Sequence, residues 1–116
     1  LSVIPAFLLK QLYVKKSLKP TQTGFELTLK NTLANGTITG LAMHVDSRPL
    51  APDSIGIGAI RANEISADHP RAFALNQNVV LQVESAPLVP GAHKIAIEVE
   101  TKEAGVLKIE IEDTLP

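Results

Sequence analysis

The stretch from Gly91 to Glu112, GAHKIAIEVETKEAGVLKIEIE, constrains the fold more than any other. Ile95, Ile97 and Val99 alternate with Lys94, Ala96, Glu98 and Glu100. Leu107, Ile109 and Ile111 then alternate with Lys108, Glu110 and Glu112. Successive side chains of a strand point to opposite faces, so this spacing predicts two strands with one oily face and one charged face. The charged face can meet water, and cross-strand ion pairing accounts for its mixed charges. The oily face needs a cover that the rest of the chain must supply.

The same period recurs upstream. Phe25, Leu27 and Leu29 alternate with Glu26, Thr28 and Lys30, and Val79, Leu81 and Val83 restart the pattern after a polar stretch. Asn35-Gly36 is the strongest short hairpin signal and predicts a type I′ turn. Thr37 to Val45 continues as a strand in which Gly40 marks a bulge or a close backbone approach. Asp46-Ser47-Arg48-Pro49 makes the next turn, with Pro49 holding the short segment after it at an edge. Ser54 to Ile60 reads as a strand, and Asn63 to Phe73 as a loop pinned by Ile65 and Phe73. At the start, Pro5 suits the first position of a short helix, with Ile4, Phe7, Leu8 and Leu12 at helical spacing. A strand then runs to Leu18. That apolar start either plugs one end of the core or contacts another chain.

Seven to eight short strands, at most one short N-terminal helical turn, and Gly-, Pro- and Asn-rich turns predict an all-β fold. The expected architecture is an antiparallel, immunoglobulin-like β-sandwich, one domain over residues 1–116. Its two sheets would supply the missing cover. A chain of 116 residues can bury roughly two thirds of its unfolded surface, enough for one core.

Composition narrows the function. Phe7, Phe25, Phe73 and Tyr13 are the only aromatics, too few for a sugar or single-strand stacking platform once the core takes its share. A net charge of −1 gives no basic field for nucleic acid. Zero cysteines exclude disulfides, thiolate metal sites and a thiol nucleophile. No run is long enough to span a membrane, and the chain opens without a signal-peptide pattern. The expected compartment is the cytoplasm.

Catalytic signatures are sparse. His44 and Asp46, two apart on a strand, could point the same way as a metal-ligand or acid–base pair. That spacing is common by chance, and no HExxH pattern supports it. His69 precedes Pro70 in a loop, where local hydrogen bonding is its expected role, and His93 stands at a strand start. The serines form no GxSxG elbow, and Gly56-Ile57-Gly58 fits no phosphate-binding spacing. Asn35-Gly36-Thr37 matches a glycosylation sequon, but the turn already explains Asn-Gly. No catalytic, cofactor or metal residue is assigned, and no cofactor is expected.

Three phrases occur together: GFELTLKNTLANGTITGL, MHVDSRPLAPDSI and APLVPGAHKIAIEV. A strand ends in Val45-Asp46, an apolar step with proline comes next, and Leu88-x-Pro90-Gly91-x-His93 precedes a long strand. From about Gly24 to Ile111 the pattern resembles the small β-subunit family of bacterial C-glycoside deglycosidases. Val45-Asp46-Ser47 departs from that family's more usual Val-Asp-Gly turn. The resemblance implies an accessory subunit packed beside a separate, barrel-type, metal-binding catalytic subunit that resembles sugar-phosphate isomerases. No catalytic residue carries over.

The leading expectation is therefore a non-catalytic accessory subunit that associates with other subunits of a sugar- or glycoside-processing enzyme. Its partner is a protein subunit, such as a barrel-type catalytic chain, or further copies of itself. Phe7, Leu8 and Tyr13 are the expected interface. The alternatives are an extracellular immunoglobulin-like adhesion module and a small stand-alone enzyme using His44 or His93.

Overall fold

The cover for the final hairpin is a second sheet. The computed structural model describes residues 4–116. In chain order the elements are helix α1 (Ala6–Lys10) and strands β1 (Lys19–Pro20), β2 (Gly24–Lys30), β3 (Gly36–Val45) and β4 (Arg48–Pro49). They continue with β5 (Ile55–Ile57), β6 (Ile60–Arg61), β7 (Arg71–Phe73), β8 (Asn78–Glu84), β9 (Gly91–Thr101) and β10 (Gly105–Leu115). One sheet runs β1-β2-β8-β5-β6 and the other β10-β9-β3-β4, with β7 paired to the start of β3. Every pairing is antiparallel. Among the described residues the architecture is a β-sandwich with one short α-helix. Three of its ten strands are only two residues long.

The period-2 residues form the core as their spacing predicts. Phe25, Leu27, Leu29, Val79, Leu81 and Val83 from one sheet face Met43, Val45, Ile95, Ile97, Val99 and Ile109 from the other, all buried in one cluster. Each such side chain contributes roughly 1.5–3 kcal/mol on transfer from water. Ile65 and Phe73 are buried, as expected, but the loop expected over residues 63–73 ends early: Arg71–Phe73 forms β7 on the start of β3. Gly40 sits at a register shift between β3 and β9, where an added Cβ would lie 3.2 Å from the Glu100 Cβ.

Four further local expectations are corrected. Asn35-Gly36 is not a hairpin turn: β2 and β3 lie in different sheets, and neither residue has positive φ. The chain crosses between sheets there, fixed by the buried Asn31. Its side-chain amide donates to the carbonyls of Ala34 and Phe73, and its Oδ1 accepts from the amides of Leu33 and Ala34. The paired positive φ values fall instead at Asp46 (50°) and Ser47 (70°), in the tight turn from β3 to β4. The strand expected over Ser54–Ile60 is broken at Gly58, whose φ of 64° turns β5 into β6. The strand expected up to Leu18 is reduced to one bridge, Tyr13 to Leu29, before β1. Finally, register sets Lys108 opposite Glu98 and Glu112 opposite Lys94, but neither pair is in ion-pair contact. Solvation explains these side chains.

The apolar start divides. Pro5 caps α1, which packs beside β10 and buries no residue fully. Leu9 packs on the core and Leu12 is buried within it, while Phe7 is 64% exposed. Among the described residues no helix is long and apolar enough to cross a membrane.

Candidate functional site

One end of the β9–β10 hairpin gathers the titratable groups. His93 enters β9 with its side chain on the inward face shared with Ile95, and register places Asp113 of β10 opposite it. The β3–β4 turn brings Asp46 to the same end. His93 Nδ1 lies 2.6 Å from Asp46 Oδ2, and His93 Nε2 lies 2.6 Å from the Val89 carbonyl oxygen. Asp46 Oδ1 accepts the Lys94 amide at 2.9 Å. On the other side, the Tyr13 hydroxyl donates to Asp113 Oδ2 at 2.6 Å and accepts the Leu18 amide at 3.1 Å. Asp113 Oδ2 also takes the Lys16 amide, which holds Lys16 at a positive φ of 66°. These bonds tie the β3–β4 turn, the Val89 loop and the N-terminal segment to the last two strands.

The acceptors dictate the protonation. A carbonyl and a carboxylate can only accept, so both ring nitrogens of His93 must donate. The form that makes both bonds is the imidazolium, and the pKa of His93 is raised by the bond to Val89 and then by Asp46. Asp46 is held below the usual carboxylate range, first by the bond from His93 and then by the Lys94 amide. Burial and then the Asp113 bond push Tyr13 up to about 12. Asp113 is held low, chiefly by the Tyr13 hydroxyl.

A histidine beside an aspartate can act as a general base only if its second nitrogen faces a substrate. In His93 that nitrogen is bonded to Val89 within the same chain. The arrangement works as a fastener.

The residues singled out in the sequence fall apart from one another. His44 and Asp46 do not act together: Asp46 turns to His93, while His44 lies opposite Ala96 and Pro49. His69 closes a tight loop with Ser66 through its main chain. Among the described residues no group of three or more His, Asp or Glu is placed to hold a metal ion. Of the three expected interface residues, Phe7 is exposed, Leu8 is half-buried, and Tyr13 is buried against its own chain. Asp113 and Asn31 carry no signal in the sequence. Their partners lie up to 100 residues away.

Comparison with known families supplies the remaining finding. A family model described as hydroxymethylglutaryl-CoA reductase, N-terminal domain, matches residues 8–116, all ten strands included. Comparison with curated proteins gives no match. The family match overturns the likeness to C-glycoside deglycosidase subunits, and the partner implied by that likeness loses its support. The fold explains why the likeness arose. Val45-Asp46-Ser47 makes a tight β-turn, and Pro90-Gly91-x-His93 leads into β9 and pins that turn. In this chain those pieces serve the β3–β4 turn and its tie to β9. A match over nearly the whole chain shows kinship, and the chain belongs to the family of hydroxymethylglutaryl-CoA reductase N-terminal domains.

Proposed function

We propose that this chain is a non-catalytic β-sandwich accessory domain that works by protein association. Its partner is the part of a hydroxymethylglutaryl-CoA reductase that performs the reduction, and its compartment is the cytoplasm. The family description supports the partner. The observation that carries the association is Phe7, which is 64% exposed on a helix with no fully buried residue. Phe25 and Phe73, by contrast, are buried. An exposed aromatic with a half-buried apolar neighbour, Leu8, suits an interface anchor. The engaged nitrogens of His93 fit the non-catalytic role.

Light scattering and co-purification of the protein from its native source test the reading. The expected result is a complex containing reductase activity, weakened about tenfold or more by Phe7→Asp with no change in melting temperature. A lone monomer at micromolar concentration would sink the association. Turnover of hydroxymethylglutaryl-CoA by this chain alone, lost in His93→Ala, would sink the non-catalytic role.

A further inference from the structure

At the opposite end of the hairpin, where the β9–β10 turn meets the crossing from β2 to β3, a cavity of ≈ 130 Å³ lies between the sheets. Leu12, Leu33, Ile38, Phe73, Val99 and Ile109 are among its walls. Ala34, Asn35, Glu103 and Ala104 line its mouth and are exposed, so the pit opens to solvent.

The polar side chains around it are already bonded. Asn31 is held by the Leu33, Ala34 and Phe73 main chain. Both Glu103 oxygens accept from Thr37, one from its amide and one from its hydroxyl. The Thr101 hydroxyl donates to the Gly105 carbonyl and accepts the Ala104 amide. Among the described residues no buried side-chain nitrogen or oxygen lacks a partner. A buried water needs two to four polar partners, whereas a dry apolar cavity of roughly 150 Å³ accepts benzene.

We propose that this pit binds a compact, uncharged hydrocarbon group of about the size of benzene. An anion is rejected because the apolar walls offer it no counter-ion and the Glu103 carboxylate at the mouth repels it, and any charge that enters the apolar walls loses its hydration. The site stands apart from the association reading, since a free probe fills it or fails to with no partner present.

Benzene titration followed by amide NMR tests it. Saturable shifts are expected at Ile38, Val99, Leu107 and Ile109, with a Kd of about 1 mM. Benzoate at the same concentrations should leave those amides unmoved. Leu107→Phe, which fills the pit, should weaken benzene at least tenfold, and Ala34→Leu at the exposed mouth should do the same if the first variant does not fold. N-acetyl-leucinamide separates two sources of the group. Shifts at the same four amides point to a side chain presented by another protein, silence points to a free small molecule, and either supports the site. Shifts that scatter over the surface, equal shifts with benzoate, or undiminished binding in both blocking variants would overturn it.

Discussion

The two ends of the β9–β10 hairpin are closed by different physics. At the Gly91 end, charged and polar side chains bond across elements, with His93 to Asp46 and Tyr13 to Asp113. At the Thr101 end, the neutral side chain of Asn31 satisfies main-chain groups beside an apolar pit, and the carboxylate there, Glu103, is bonded to Thr37 at the exposed mouth. Both ends rest on the same two strands, so the contrast does not come from the hairpin. It comes from what arrives there: a tight turn with an aspartate at one end, a buried crossing between sheets at the other. A crossing must satisfy buried peptide groups, and a neutral amide does this without the desolvation cost of a charge. A turn at the surface can carry charge, because water still screens Asp46, whose side chain is 47% exposed. The first end should therefore respond to pH around neutrality, and the second only in acid, where Glu103, its pKa lowered by the Thr37 amide and then the Thr37 hydroxyl, takes up a proton.

The largest test is at the neutral end. Asn31→Ala strips the partners from the buried carbonyl of Phe73 and from the main chain at Leu33 and Ala34. We expect a loss of about 3 kcal/mol in urea denaturation, constant from pH 5 to 9. A loss below about 1 kcal/mol would mean that the crossing holds itself. Tyr13→Phe comes next. It removes one donor to Asp113 and the acceptor for Leu18, while Asp113 keeps the Lys16 and Thr114 amides. The expected loss is about 1–2 kcal/mol. Tyr13 has a raised pKa, so its protonated form stabilises the fold. That contribution is complete below its ordinary value and fades as pH climbs towards about 12. The gap between wild type and Tyr13→Phe should thus hold through neutral pH and shrink in strong alkali.

His93→Gln should cost less, about 1 kcal/mol, because its aspartate is half in water. Its pH profile is the sharper reading. A raised histidine pKa stabilises fully below its unfolded value of roughly 6.5 and is lost as pH rises through the folded value. A lowered aspartate pKa stabilises above roughly 3.9 and is lost as pH falls through its folded value. The gap between wild type and His93→Gln should peak in mildly acidic buffer, then narrow on either side. A gap that is flat from pH 5 to 9 would mean that His93 is neutral, and the contrast between the ends would collapse.

The two kinds of closure are not equally legible in the sequence. Alternation is a local property, so it places Phe25, Leu27, Leu29, Val79, Leu81, Val83 and the final hairpin directly. Sheet membership is not local. Asn35-Gly36 has the composition of a hairpin turn, but the strand after it joins the other sheet, and the dipeptide serves a crossing. Asp46 stands out beside His44 because only two positions separate them. Its partner is 47 residues away and is found only through the register of β3 on β9. The same reason hides Asp113, and for Asn31 it hides the bond to Phe73, 42 residues away, although the bonds at Leu33 and Ala34 are local. Turn phrases mislead in the opposite direction: the Val45-Asp46 and Pro90-Gly91 pieces suggest a family that the match over residues 8–116 overturns.

The smallest effect probes the apolar end directly. Val99 is buried at the wall of the pit, and Val99→Ile adds one methylene beside it. If the added carbon enters empty space, it removes apolar surface from water without displacing a neighbour, a gain of about 0.5 kcal/mol. If the wall is already close-packed, the same carbon must push something aside, and overpacking costs about 1–3 kcal/mol. The sign is therefore more informative than the size. A rise in urea midpoint with an unchanged slope supports an open pit opposite a polar fastener, whereas a fall would make the two ends alike in packing and leave protonation as their only difference.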